Sequence, residues 1–145
     1  MKMKRAQLSL DVLFAVLLVM VTITNLTYLA TSEISHSENF DTFTKLRLFS
    51  ATLVDHSAKV YAIGEGYKIR EVAPDLNGGR IRIIFNGTTN KVIVNATVNG
   101  RNFWIIRNST VPLYTSTLVL NSSEEFWIVA YYNATEGMLY VKVEK

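Results

Sequence analysis

The hydrophobic residues of this 145-residue chain follow three successive patterns. An apolar run begins at Val12, contains no polar residue as far as Val21, and continues in weaker form to Ala30. After a polar stretch, apolar residues recur every three or four positions, and from Tyr67 onward many of them alternate with polar ones. The patterns predict an apolar helix, an amphipathic helix and a β-rich domain, in that order.

The apolar run has the length of a membrane-spanning helix. Val12–Ala30 approaches the roughly 20 residues that a helix needs to cross a bilayer. A cleaved secretory signal fits poorly, because Tyr28 stands where such a site prefers a small side chain. Basic residues precede the run and none follows before Lys45, which places the N-terminus in the cytoplasm and the remainder outside. These preceding basic residues are Lys2, Lys4 and Arg5.

One acidic residue, Asp11, stands at the start of the apolar run. A carboxylate in a membrane helix costs about 2.5–3.5 kcal/mol at the bilayer centre and less near the interface. A plain signal anchor has no need of it. Asp11 either lies among the headgroups near a helix N-terminus, where an acid is mildly favoured, or has a specific partner.

The residues around Asp11 resemble the class III signal peptide of archaeal type IV pilin-like proteins. They read KRAQLSLD and run directly into the apolar segment; the matching positions are Lys4, Arg5, Ala6, Gln7, Ser9 and Asp11. The resemblance extends as far as Ala30. It implies that a prepilin peptidase cuts between Ala6 and Gln7 on the cytoplasmic side, so that the hydrophobic helix stays on the mature protein. Asp11 replaces the glutamate that this family usually carries.

The resemblance also implies a role for Asp11 and a set of partners. In a filament, its carboxylate would pair with the free amine of Gln7 on a neighbouring subunit, and such pairing offsets the desolvation of either charge. The implied partners are copies of the chain or related pilins, the prepilin peptidase, the pilus assembly machinery and the membrane.

The basic pI of 9.2 is misleading for a processed chain. Loss of the leader would remove three of the 15 basic residues and none of the 12 acidic ones, leaving a net charge near zero. The remaining basic residues are scattered, whereas nucleic-acid binding requires a concentrated patch. We therefore expect no nucleic-acid partner.

A second apolar rhythm predicts an amphipathic helix that ends at Gly64 and Gly66. No proline or glycine lies between Gln7 and Ile63, which allows one continuous or slightly bent helix. The alternative is a membrane helix, a loop at Ser32–Asn39 and a separate amphipathic helix. The predicted buried face comprises Phe43, Leu46, Phe49, Leu53, His56, Val60 and Ile63.

The β-rich part contains seven candidate strands separated by turn residues. Asn99-Gly100 is the strongest hairpin signal, a type I′ turn, and the short links favour an antiparallel meander. Phe126–Ala130 is apolar on both faces, which is typical of a central strand. The candidate strands are Tyr67–Val72, Arg80–Phe85, Lys91–Val98, Arg101–Arg107, Thr115–Leu120, Phe126–Tyr132 and Met138–Glu144.

The predicted fold is therefore α+β: a long N-terminal transmembrane or spine helix followed by an antiparallel β-sheet or β-sandwich head, as in type IV pilins. We assign residues 1–6 to a cleaved leader and 7–63 to the spine helix. Within the helix, the membrane or filament core is about 8–30 and the amphipathic half about 40–63. Residues 67–145 form the extracellular β-rich domain.

Asn-x-Ser/Thr sites recur along the chain. Asn25 lies in the membrane run and should stay unmodified, whereas Asn95 lies within a strand. Export and exposure, which glycosylation requires, are expected at the other sites, although asparagine is also an ordinary turn residue. The possible N-glycosylation sites are Asn86, Asn95, Asn108, Asn121 and Asn133.

No residues suggest a catalytic or metal centre. The chain lacks cysteine, which excludes disulfides and thiolate sites. His56 lies on the apolar helix face, where a hydrogen-bonded structural role is expected, and His36 has no companion ligand. The aromatic residues are more typical of core or inter-subunit packing than of a ligand site; they are Trp104, Trp127, Tyr131 and Tyr132. We expect no cofactor, no metal and no enzymatic activity.

Two functions fit these observations. The first is a major or minor structural subunit of an archaeal type IV pilus-like surface filament, assembled through the hydrophobic helix. The alternative is a single-pass membrane-anchored extracellular β-domain that acts as an adhesin or binding module without polymerising. Both predict a membrane protein with its N-terminus inside and its C-terminus outside.

Overall fold

A computed structural model describes the backbone of residues 2–145 and the side chains of residues 10–145. It contains one helix followed by two antiparallel β-sheets, which confirms the predicted α+β class. The chain divides into two compact units. The first ends at Asp41, and the second, Thr42–Lys145, is called the head unit below.

Helix α1 extends from Lys2 to Ile63 without interruption, so the alternative of a loop at Ser32–Asn39 is wrong. It ends where the glycines predicted. Gly64 has a φ of 108° and donates its backbone N–H to the carbonyl of Val60 at 3.2 Å. A left-handed residue at this position is easiest for glycine and terminates the helix.

The amphipathic half of α1 is part of the core of the head unit. Leu46, Leu53 and Val60 are fully buried, as predicted. Phe43 and Ile63 are 44% and 61% exposed, so their assignment to the buried face is wrong.

The fully buried face of the helix also includes two serines that were not predicted there. Ser50 and Ser57 lie four residues after Leu46 and Leu53, and residues at this spacing share one side of a helix. Hydrophobic periodicity does not identify them, because their side chains are polar.

Seven strands follow the helix, each within one or two residues of its predicted bounds. They are β1 (Lys68–Val72), β2 (Arg80–Asn86), β3 (Lys91–Val98), β4 (Arg101–Asn108), β5 (Ser116–Asn121), β6 (Glu125–Asn133) and β7 (Met138–Glu144). The turn between β3 and β4 has a φ of 49° at Asn99 and 75° at Gly100. A positive φ at both residues is the signature of a type I′ turn, which confirms the prediction.

The strands form a three-stranded sheet, β1-β6-β7, and a four-stranded sheet, β4-β3-β2-β5. Strand β6 is central in the first sheet, as its apolar sequence predicted. A simple meander is wrong, because β1 pairs with β6 and β2 pairs with β5. Hairpin signals identify only neighbours in sequence, whereas these two pairings join strands that are distant along the chain.

The core of the head unit lies between the sheets and the amphipathic half of α1. Phe49 of the helix meets Phe126 of β6 edge to face, with ring centroids 6.0 Å apart. Inward-facing residues alternate along β2 and β3, so that each strand has one dry face. The largest fully buried side chains of the strands and loops are Phe85, Phe126, Ile81, Ile83, Leu113, Leu120, Ile128, Val92 and Val94.

Candidate functional site

The apolar part of α1 is exposed throughout the first unit. The large hydrophobic side chains from Leu10 to Leu29 are all at least 50% exposed. By length and composition, the helix is apolar enough to cross a membrane. Such a continuous apolar surface is not left in water by a stable protein, so this segment suggests association with a membrane.

Threonines toward the C-terminal end of this segment form hydrogen bonds with backbone carbonyls of their own helix. Thr22, Thr24 and Thr27 each donate a hydrogen bond of 2.8 Å to the carbonyl four residues earlier. Thr31 does the same at 3.0 Å. Because a polar group in hydrocarbon is costly only when it lacks a partner, these hydroxyls make the segment less polar than its sequence suggests.

Asp11 lies on the exposed surface of α1 at the start of the apolar segment. Its carboxylate has no hydrogen bond or ion pair with the side chains from residue 10 onward. The remaining residues of the leader motif lie outside the described side chains, so the structure does not test the cleavage position. These residues are Lys4, Arg5, Ala6, Gln7 and Ser9.

His56 joins α1 to the three-stranded sheet. Its Nδ1 is hydrogen-bonded to Oε1 of Glu71 in β1, and both side chains are half-buried. The prediction of a hydrogen-bonded structural histidine is confirmed. His36 is exposed on α1, and the described residues contain no group of three or more potential metal ligands.

Arg107 joins α1 to the four-stranded sheet, a contact that was not predicted from the sequence. From β4, its Nε donates a hydrogen bond of 2.8 Å to Oγ of the buried Ser50, and Nη2 reaches the carbonyl of Arg47 at 3.3 Å. The Ser50 hydroxyl in turn donates to the same carbonyl at 2.8 Å. In the sequence, Arg107 is only one of several scattered basic residues. Its partner Ser50 could not be predicted either, because hydrophobic periodicity does not identify a buried serine.

Four of the predicted glycosylation sites are the last residues of strands. Asn108 and Asn121 are exposed, and Asn86 and Asn133 are half-buried. Oδ1 of Asn86 accepts the backbone N–H of Thr89 at 3.0 Å, and Oδ1 of Asn133 accepts that of Thr135 at 3.1 Å; these are the local bonds of turn asparagines. Both bonds use the oxygen and not Nδ2, the atom to which a glycan is attached.

Asn95 differs from the other four sites. It is half-buried in the middle of β3, on the outward face of the four-stranded sheet. Its neighbours across the sheet are Trp104 on one side and Arg82 on the other. A glycan attached at Asn95 would therefore cover the centre of this face.

The outward face of the four-stranded sheet carries exposed apolar residues. Trp104 and Ile106 of β4 are each 58% exposed, and Ile106 aligns with Ile93 and Ile84 on the adjacent strands. The prediction of core packing is therefore wrong for Trp104, whereas its packing between subunits stays a prediction. Trp127 is half-buried on the other sheet, with Nζ of Lys68 4.6 Å from the centre of its ring.

Local contacts shift the pKa values of several groups on the surface of the head unit, among them Glu124 and Tyr140. A hydrogen bond from Lys145, aided by the backbone N–H of Asn121, lowers the pKa of Glu124. The hydrogen bond to Glu136 raises the pKa of Tyr140. Each shift follows from a local ion pair or hydrogen bond, which is the ordinary electrostatics of a folded surface.

Comparison of the chain with protein-family models, curated proteins and solved structures found no match.

Proposed function

We propose that this chain is a structural subunit, major or minor, of an archaeal type IV pilus-like surface filament, assembled through its N-terminal hydrophobic helix. The main support is the exposed apolar segment of α1, which follows Asp11 and is preceded by a short basic head. The same helix continues into the core of the head unit. In a chain built in this way, the apolar helix that serves for assembly is covalently joined to a folded domain.

In the proposed function, the peptidase removes residues 1–6 and Gln7 becomes the N-terminus. The apolar segment is held in the membrane until assembly, with the head unit outside the cell. In the filament, apolar segments of neighbouring subunits pack together, and Asp11 of one subunit pairs with the amine of Gln7 on the next. This pairing gives the carboxylate of Asp11 a partner in surroundings of low dielectric constant.

The head unit supplies the surface of the filament. The exposed row of Trp104 and Ile106 is available for contacts between subunits or for adhesion, and the strand-terminal asparagines are available for glycans. No enzymatic role is part of this proposal.

Replacement of Asp11 tests the proposal. We expect Asp11→Ala to abolish filaments that wild-type protein forms in the native cell, because the amine of Gln7 would then be buried without a counter-charge. Asp11→Glu, which restores the residue usual in the family, should assemble. Glu33→Ala is a matched control, since Glu33 is an exposed acid on the same helix. Electron microscopy of sheared surface filaments measures assembly, and immunoblotting of membranes measures the amount of subunit.

Two results would contradict the proposal. One is an intact Met1, or a start near Thr31, in mass spectra of the native protein, where we expect Gln7. The other is normal display of Asp11→Ala and wild-type protein as single molecules in the membrane, with no filament containing either. The second result would favour the anchored adhesin or binding module.

A further inference from the structure

Asn25 is the only side-chain amide within the apolar segment Val12–Ala30. The threonines on either side of it, Thr24 and Thr27, donate to backbone carbonyls of their own helix. In the part of the chain that the structure describes, the side chain of Asn25 has no such bond. Two donors and two acceptor lone pairs are therefore presented to the surroundings of the helix.

Hydrocarbon supplies no partner for this amide. Leaving an amide without hydrogen bonds in an apolar medium costs several kcal/mol, and lipid tails offer neither donors nor acceptors. Glycosylation is not expected to satisfy the amide either, because the Asn25 site lies within the predicted membrane segment. A polar group from another helix at the same depth relieves the cost, and asparagine is among the residues that bond in this way between membrane helices.

Asn25 shares a face of the helix with Asp11. Fourteen residues separate them, and with about 3.6 residues per turn this is roughly 40° short of four full turns. Ala15, Leu18 and Thr22 lie on the same side between them, so that the five positions alternate in steps of four and three residues, as contact with one other helix requires. A partner helix that reaches Asp11 along this face therefore also passes Asn25.

We propose that Asn25 forms amide–amide hydrogen bonds with Asn25 of a second copy of this chain, and so sets the register between two packed apolar segments. An amide is complementary to itself, since it carries both donor and acceptor, and a single buried asparagine is known to fix register between helices. The inference rests on the proposed function, because it names the contact by which the assembling segments recognise one another.

The absence of native cysteine allows a direct test. Asn25→Cys in the full-length chain, expressed in native membranes, introduces a single thiol. We expect mild oxidation to give a disulfide-linked dimer of this chain. Thr24→Cys is the matched control, because one residue turns the side chain by about 100°, and it should cross-link at least several-fold less. Equal cross-linking at both positions, or a product that joins the introduced thiol only to another protein, would overturn the proposal.

A second measurement examines the hydrogen bond itself. In detergent micelles, self-association of the labelled full-length chain is followed by fluorescence energy transfer. We expect Asn25→Leu to raise the dissociation constant about three- to thirtyfold, the range found for hydrogen bonds between membrane helices. Asn25→Gln should recover part of the loss, and Thr24→Val should stay within about twofold, because its hydroxyl already has a partner in its own helix.

The outcomes separate this proposal from the filament. Wild-type association in Asn25→Leu would overturn the role of Asn25 and leave the filament proposal intact. Dimers cross-linked at position 25 in cells that form no filaments containing this chain would support the contact and reject the filament.

Discussion

Replacing Leu53 by alanine measures how much α1 contributes to the stability of the head unit. Leu53 is fully buried, so the substitution removes three carbon groups from the core. At about 0.8 kcal/mol for each buried CH₂, the transfer term is near 2.4 kcal/mol. The cavity left behind raises the expected loss to about 2–5 kcal/mol, the range measured for leucine to alanine in cores.

Leu48 provides the control for this experiment. It lies on the same helix and carries the same side chain, but it is 70% exposed. Leu48→Ala should change the free energy of unfolding by no more than about 0.5 kcal/mol. Both leucines lie in the part of α1 that belongs to the head unit, so the two variants differ in burial and not in residue type or helix propensity.

Urea unfolding of the full-length chain in detergent is the appropriate assay. Both tryptophans, Trp104 and Trp127, belong to the head unit, so their fluorescence reports its unfolding. With a slope of about 1–3 kcal/mol per molar urea, Leu53→Ala should lower the midpoint by roughly 0.7–5 M. A change equal to that of Leu48→Ala would refute the conclusion that α1 is part of the head core.

Two further predictions concern polar contacts of the head unit. Ser50→Ala should lower the free energy of unfolding by about 1–3 kcal/mol, because Nε of Arg107 loses its acceptor. Ser57→Ala removes only a hydrogen bond within the helix and should cost clearly less in the same assay. Equal losses in the two variants would refute the special role of Ser50. The ion pair with Lys145 lowers the pKa of Glu124 in the folded state, so its stabilisation is present above the ordinary glutamate pKa and is lost as the pH falls through the lowered value. Glu124→Gln should therefore lower the melting temperature at neutral pH and leave it unchanged at strongly acidic pH, and a difference that persists in acid would contradict this reasoning.

Much of the fold was predictable because its signals are local. Uninterrupted helical sequence predicted α1, glycine predicted its end, and apolar runs separated by turn residues predicted all seven strands. The Asn99-Gly100 turn followed from two adjacent residues, because few residues accept a positive φ. Each of these features depends on residues that are close together in the sequence.

The features that were missed depend on distant residues. The pairing of β1 with β6 joins Lys68 to Val129, and no local pattern identifies such partners. Ser50 is polar and was not predicted on the buried face of α1, yet it is buried and Arg107 bonds to it. Tryptophan is a residue type common in protein cores, but the register of β4 against β3 directs Trp104 outward.

Part of the candidate site was also predictable. The apolar segment, Asp11 and the turn asparagines were identified from residue type and spacing. The amide of Asn25 became distinctive only beside the threonines, whose hydroxyls bond within the helix. The difference between Asn25 and the threonines lies in their hydrogen bonds, whereas in the sequence all of these residues are simply polar.

The connection between β4 and β5 has a consequence for aggregation. Both the N–H and the carbonyl of Val141 are hydrogen-bonded to this connection, through Pro112 and Tyr114, and the N–H of Val143 is bonded to Ser116. Strand β7 therefore does not offer these groups as a template for a strand of another molecule, which is a common route to insoluble β-aggregates. This edge of the head unit is therefore protected from pairing with strands of other molecules.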